Sequence, residues 1–330
     1  MQRLTGLDAS FLYLETPSSH MHVASVMVLD PSTADGGVTL ERVKEVYGSR
    51  LHLAPPFRRR LAEVPFGLHH PLWIEDPDFD IDRHVRSIAV PAPGDGRALS
   101  TLVGHLSSIP LDRRRPLWEV WVIEGLADGK VAVLSKVHHA AIDGASGNEL
   151  TVALLDLSPE IAVHEPTEEW HPDRKPTEVE MLGYASSSLA RQPLRVARAL
   201  ARSAGAAVAI RRHNREEPGL DPPPSPFSAP RTSFNTAITP QRDFAFTSLS
   251  LPKVKAVKNE LGVTVNDMVL ALCAGALRRY LDGRDERPDG PLVAMVPVSV
   301  RAEDERDALG NRVSSMLATL ATDVDDPLER

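Results

Sequence analysis

Val131-Ala132-Val133-Leu134-Ser135-Lys136-Val137-His138-His139-Ala140-Ala141-Ile142-Asp143-Gly144 is the stretch that decides how this chain folds. Its first seven residues are apolar or β-favouring and predict a strand that runs straight into a histidine doublet. Side chains alternate between the two faces of a strand. His138 therefore goes with Lys136 and Leu134, and His139 with Val137, Ser135 and Val133. Only one histidine can face a given cavity. Trp118-Glu119-Val120-Trp121-Val122-Ile123 has the same character, and the turn-forming Gly125-Leu126-Ala127-Asp128-Gly129-Lys130 lies between, so the pair predicts an antiparallel hairpin. Beyond the doublet, Gly144 to Leu155 returns to helical period, with Leu150, Leu154 and Leu155 on its inner face.

Upstream, the pattern predicts a short helix around Ser10 to Leu14, a strand from Met21 to Leu29, and a helix from Val38 to Leu51 stopped by Pro55-Pro56. Extended segments follow from Phe57 and from Ile81 to Pro91, then a helix from Leu99 to Ile109. Downstream, Pro159 to Pro176 reads as loop and Glu178 to Arg212 as helix in two pieces, because Pro193 suits a first turn. A strand from Phe244 to Leu249, helices from Pro252 to Leu261 and Asn266 to Leu281, and strands from Leu292 to Val300 and Arg312 to Ala321 complete the reading. Strands and helices in this mixture predict an α/β (α+β) fold. At 330 residues the chain exceeds one typical domain. Its divisions are expected at 1–213, a Pro-rich linker at 214–240, and a second lobe at 241–330. Asp326-Pro327 is a helix start signal at the end of the sequence, so the second lobe is expected to be truncated.

Hydrophobic residues at 42% and charged residues at 25% describe an ordinary globular composition. A net charge of −8 argues against nucleic-acid binding. The lone Cys273 excludes an internal disulfide and a multi-cysteine metal cluster, and its apolar helical surroundings predict inert packing. No run of about 18 apolar residues exists, and the N-terminus lacks an apolar stretch of signal-peptide length. The expected location is cytoplasmic.

A neutral imidazole at a strand end can take a proton from an alcohol, because histidine titrates near working pH. Asp143 and Gly144 sit at the turn into the next helix, where they can fix that imidazole or its loop. A metal site is the rival reading, but adjacent strand histidines do not easily grip one ion and no third ligand follows. No metal or cofactor is expected. His69-His70 serves as a control: Pro71 follows, no Asp-Gly lies beyond, and the pair reads as surface or packing.

The strand–His138-His139-x-x-x-Asp143-Gly144–helix arrangement resembles the signature of the chloramphenicol-acetyltransferase-like superfamily, which includes peptide-synthetase condensation domains. Leu7-Asp8-Ala9-Ser10-Phe11-Leu12, Met21-His22-Val23, Pro116-Leu117-Trp118-Glu119 and Val265-Asn266-Asp267-Met268-Val269-Leu270 narrow the likeness to the bacterial wax ester synthase/diacylglycerol acyltransferase family. Pro297-Val298-Ser299-Val300-Arg301 and Gly310-Asn311-Arg312 fit it too, so the resemblance runs from Leu4 to about Asp323. It implies two lobes, each a mixed sheet flanked by helices, with an active-site tunnel between them and a C-terminal segment longer than this chain carries.

It also implies an acyl-CoA-dependent O-acyltransferase making triacylglycerol from diacylglycerol, or wax esters from long-chain alcohols, with acyl-CoA as substrate and no cofactor. His139 would be the general base, His138 its support from the opposite face, Asp143 a loop anchor and Gly144 the space beside the base. Asn266, Asp267, Ser299, Arg301 and Asn311 are further substrate-binding or structural candidates, Arg301 as partner of Asp143. Thr264-x-x-Asp267 also reads as a capping box.

Arg191, Arg195, Arg198 and Arg202 draw a basic stripe along one helical face, which fits either peripheral contact with the inner membrane face or lipid bodies, or a solvated surface helix. A missing C-terminal fragment or a second copy of the chain would complete the site. Two other functions stay open: a superfamily acyltransferase using a polyketide acceptor or carrier-protein-bound acyl donor, and a non-catalytic lipid-binding protein.

Overall fold

The predicted hairpin forms, and a four-stranded sheet is built around it. In the computed structural model, residues 2–141, 154–155, 170–190, 205, 224, 228–299 and 313–330 are described. The strands are β1 (Gln2–Arg3), β2 (His22–Leu29), β3 (Arg59–Ala62), β4 (Leu72–Glu75), β5 (Val85–Ala89), β6 (Trp118–Glu124), β7 (Val131–His138), β8 (Leu292–Ser299) and β9 (Val313–Leu320). The helices are α1 (Gly6–Leu14), α2 (Leu40–Arg50), α3 (Gly96–Ser107), α4 (helical residues 178–190), α5 (Leu251–Leu261) and α6 (Val265–Asp282). Among the described residues three sheets result, ordered β2-β7-β6-β5, β1-β4-β3 and β8-β9.

The doublet strand lies inside the four-stranded sheet, antiparallel to β2 on one side and to β6 on the other. The β5–β6 pair is parallel, which makes the sheet mixed. Two consecutive left-handed residues, Asp128 (φ 64) and Gly129 (φ 67), turn the chain between β6 and β7. Both faces of the sheet are covered. Trp118, Val120 and Val122 of β6 and Val133 of β7 pack with Val43 and Tyr47 of α2 on one face. Ile123, Ala132 and Leu134 pack with Leu99, Val103 and Leu106 of α3 on the other. The period of two in the strands and the helical spacing in α2 and α3 thus produce three layers. Trp118 anchors the first, stacked between Phe57 (centroids 4.7 Å) and His84 (4.5 Å), with its indole N–H donated to the Phe57 carbonyl at 2.8 Å.

A third apolar cluster holds the end of β7. Ala9 and Leu12 of α1 meet Leu61, Trp73, Leu117, Ala140 and Ala141 there. Helix α1 starts at a capping box: Thr5 Oγ1 accepts from the Asp8 N–H and the Asp8 carboxylate accepts from the Thr5 N–H.

Two compact units are present. The first contains the described residues of Met1–Pro218 together with Thr239–Ala245; the second contains those of Gly219–Ile238, Phe246–Arg306 and Arg312–Arg330. In the second unit, Leu270, Ala274, Leu277 and Leu281 of α6 pack on Leu292 and Ala294 of β8 and Leu320 of β9.

Three expectations differ from what is found. Residues 244–249 form no strand. Their sequence suits a strand, but β propensity needs a receptive edge. Here the preceding backbone is committed to the first unit: the Arg242 N–H donates to Ser108 Oγ at 2.8 Å and its guanidinium to the Ser18 carbonyl at 2.6 Å, while Phe244 packs on the α3 layer. The division expected at 240/241 accordingly falls inside Thr239–Ala245, a segment of the first unit. Cys273 is exposed, because the face of α6 that meets the β8–β9 pair is the one carrying Leu270, Ala274 and Leu277. The helices expected after Gly144 and beyond Arg191, with their basic stripe, lie outside the described residues apart from a few positions.

Candidate active site

His139 is half-buried at the point where β7 ends. Its backbone N–H donates to the Met21 carbonyl at 2.8 Å, one step beyond the His22–His138 pair that closes the β2–β7 ladder. Met21 adopts a left-handed φ of 48°, a strained conformation for a methionine that turns its carbonyl onto the doublet. The imidazole of His139 stacks on Phe11 of α1, with centroids 4.9 Å apart and planes 18° from parallel. Burial lowers its pKa, so the ring is neutral and basic at neutral pH.

His138 is fully buried. Its Nδ1 accepts the Ala140 N–H at 2.9 Å, which places the proton of the neutral ring on Nε2. Among the described residues that Nε2 has no hydrogen-bond partner, and it lies 3.7 Å from Glu15 Oε2. The carboxylate is itself clamped by Arg113, whose Nε donates to the same oxygen at 2.6 Å and whose other end donates to the Leu12 carbonyl at 2.6 Å. Burial first, then the positive charges of Arg113, His139 and His22, depress the His138 pKa to about 4. The contact with Glu15 is therefore charge to dipole at neutral pH, and Arg113 is the ionic partner.

Behind the doublet lies a polar row that sequence reasoning missed. The last carbonyls of a helix lack partners within it. At the end of α3 side chains supply them. Lys136 Nζ donates to the Leu106 and Ile109 carbonyls at 3.1 and 2.8 Å, His22 Nε2 to Ser107 at 3.0 Å, and His20 Nε2 to Ser108 at 3.0 Å. Lys136 is 1% exposed, lies 3.4 Å from Glu119 Oε2, and has its pKa lowered by burial. Burial, aided by Lys136, takes His22 to about 4. The signals in the sequence were a lysine inside an apolar strand and the His20-Met21-His22 spacing.

Three segments quoted above for their family likeness therefore converge on the doublet. The first supplies Phe11, the second Met21 and His22, and the third Leu117, whose carbonyl accepts the His138 N–H at 3.0 Å. Residues 4–269 match the profile of the wax ester synthase/diacylglycerol acyltransferase catalytic domain. A Mycobacterium tuberculosis H37Rv relative named as a diacylglycerol O-acyltransferase is 41% identical over 334 residues, covering all of this chain and 64% of its own length. The chain belongs to the wax ester synthase/diacylglycerol acyltransferase family. A second relative in the same strain, likewise named, is 39% identical and is covered over 70% of its length. The chain thus spans about two thirds of the curated relatives it matches.

Among solved structures, the wax ester synthase/diacylglycerol acyltransferase of Marinobacter aquaeolei VT8 superimposes with a TM-score of 0.64 at 31% identity, over 99% of this chain and 68% of that one. The first condensation domain of the calcium-dependent antibiotic synthetase gives a TM-score of 0.50 at 18% identity, over 96% of this chain and 69% of that one. That second likeness shows a shared fold and nothing more. The mixed α/β architecture expected from the sequence is the one the family has.

Of the remaining candidates, Asp267 sits in the first turn of α6. Its carboxylate accepts from the Thr264 N–H (2.8 Å) and hydroxyl (2.7 Å), while Thr264 Oγ1 accepts from the Asp267 N–H, a reciprocal capping box. The hydrogen bonds from Thr264 lower the Asp267 pKa. Asn266 beside it is exposed. Ser299 pairs with Val313 at the end of β8. Asp143, Gly144, Arg301 and Asn311 lie outside the described residues. No group of three or more metal-binding side chains occurs among the described residues. In the control doublet, His69 Nε2 meets Ser188 Oγ and His70 Nδ1 meets the Tyr13 hydroxyl, both at 2.7 Å.

Proposed function

We propose that the protein transfers an acyl group from acyl-CoA to the hydroxyl of diacylglycerol, and to long-chain alcohols, with His139 as general base. The observation that carries this reading is the neutral, half-buried His139 ring, held against Phe11 by a doublet backbone bonded to the Met21 carbonyl on one side and the Leu117 carbonyl on the other. His139 would take the proton of the acceptor hydroxyl as its oxygen attacks the thioester carbonyl carbon. The tetrahedral centre then collapses by breaking the carbon–sulfur bond, and the imidazolium returns the proton to the CoA thiolate. No acyl-enzyme forms, and no cofactor takes part. Proton transfer of this kind contributes about 10²–10⁴-fold. Asp143 anchors the loop and Gly144 leaves room beside the base in this reading, with His138 as support from the far face. Asn266, Ser299, Arg301 and Asn311 stand as further substrate-binding or structural candidates.

The named activities of the relatives support diacylglycerol and fatty alcohols as acceptors. Among the described residues no single helix is long and apolar enough to cross a membrane. Access to diacylglycerol would then come through peripheral contact at the inner membrane face or at lipid bodies, with the chain otherwise cytoplasmic. Thiol release from palmitoyl-CoA, measured with diacylglycerol and with hexadecanol, tests the reading. His139→Ala should reduce it by about 10²–10⁴-fold. Full transfer by that variant would remove His139 from the mechanism. No thiol release with either acceptor would favour a carrier-protein-linked donor or a binding protein.

A further inference from the structure

We propose that Glu15 is a positioning residue for the doublet: its carboxylate receives the Nε2 proton of His138 and so fixes the tautomer that holds the turn carrying His139. The rate effects given below rest on the acyltransfer reading, whereas the tautomer itself does not.

The argument begins with a donor that lacks a partner. His138 Nδ1 is occupied as an acceptor by the Ala140 N–H, so Nε2 must carry the proton. A buried N–H with nothing to receive it is unfavourable, and among the described residues His138 Nε2 is such a group. Among the described residues, the charged and titratable groups around the ring are Arg113, His22 from β2 and His139 from its own strand, with Lys136 two residues earlier on the same strand face and Glu15 at the end of α1. Arg113 and Lys136 can only donate, and the Nε2–H of His22 is spent on Ser107. Glu15 Oε2 is an acceptor, 3.7 Å from Nε2.

That distance exceeds a hydrogen bond, and catalytic-site hydrogen bonds without bound substrate often stand long and tighten in the reacting complex. Arg113 holds the carboxylate in place, and the Glu15 backbone N–H is tied to the Phe11 carbonyl at 3.2 Å. Phe11 is the residue that stacks on His139. One short segment, Phe11 to Glu15, thus touches both histidines. In the other tautomer an Nδ1–H would confront the Ala140 N–H, donor against donor, and the turn that sets the His139 ring would open.

Tautomers are read by ¹⁵N shifts of the histidine rings in the labelled 330-residue chain. The wild type should show His138 protonated at Nε2 alone. Glu15→Gln, whose amide oxygen can occupy the Oε2 position, should keep that pattern and stay within about threefold of the wild-type kcat. Glu15→Leu should give mixed tautomers and lower kcat by about 10–100-fold, the range seen for residues that orient another ligand or base, with KM for acyl-CoA unchanged. If Glu15→Leu does not fold, Arg113→Met carries the test. Loss of the Arg113 charge raises the His138 pKa by itself, so the tautomer is again what is read: with its clamp gone, the carboxylate should leave His138 in mixed tautomers. A wild-type tautomer and kcat in Glu15→Leu, or a wild-type tautomer in Arg113→Met, overturns the proposal. If the wild type releases no thiol with any acceptor, the acyltransfer reading fails, and the ring shifts alone decide the role of Glu15.

Discussion

One buried and one half-buried imidazole give the protein an acid limit. His138 and His22 are each held near 4 when folded, against an ordinary value of 6.5. Between those values the unfolded chain binds protons that the folded one refuses, so their contribution is complete above about 6.5 and is lost as the pH falls toward 4. Urea midpoints should drop over that interval, and a flat midpoint would contradict the assignment. The lowered pKa of His139 acts on rate instead: the acid limb of kcat/KM should lie below the ordinary histidine value. The opposite facing of His138 and His139 was legible because strand period is a local property. The capping of α3 by His20, His22 and Lys136 was not, because these partners meet across 27 to 88 residues of chain. Phe11 under His139 was equally hidden: a motif marks that a residue matters, without naming what it touches.

Helices and strands with strong periodicity were legible nearly to their ends: α2 at Leu40–Arg50 against an expected 38–51, and α6 at Val265–Asp282 against 266–281. The capping box of α6 was readable because all its parts lie within four residues. Thr264→Ala, which removes the N-cap, should destabilise that helix by about 0.5–2 kcal/mol in chemical denaturation. The strand expected at 244–249 failed for the opposite reason, since the partners that hold Arg242 just before it lie more than a hundred residues away. Gly104 shows how closely that segment sits. A Cβ there would stand 2.5 Å from the Arg242 carbonyl oxygen, a separation real side chains do not adopt. Gly104→Ala should therefore release Thr239–Ala245 from α3. Faster hydrogen exchange at Arg242, with the amides of β7 unaffected, would report it; unchanged exchange would show that α3 shifts to make room.

Across the whole molecule, the two units differ in how much they bury. Strand β7 is paired on both edges and covered on both faces, whereas β8 and β9 pair only with each other among the described residues. Met295 is 71% and Met316 51% exposed on that pair. Amides of β8 and β9 should exchange well before those of β7, which should exchange at the rate of global unfolding. Equal protection in both sheets would refute this ranking. The family was legible over nearly the whole sequence because its motifs recur in order, but the division between units was not, because Thr239–Ala245 belongs to its unit through tertiary contacts alone. The buried polar row on β7 has one further consequence, for folding fidelity. Sliding β7 by a single position would swap its faces. Lys136 and His138 would then be thrust among Trp118, Phe57 and Tyr47, and the end of α3 would be left facing valines. A misaligned sheet is thus rejected by its own interior, and β7 carries in two polar residues, Lys136 and His138, a proofreading mark for its own alignment, with His22 of β2 across the ladder as its counterpart.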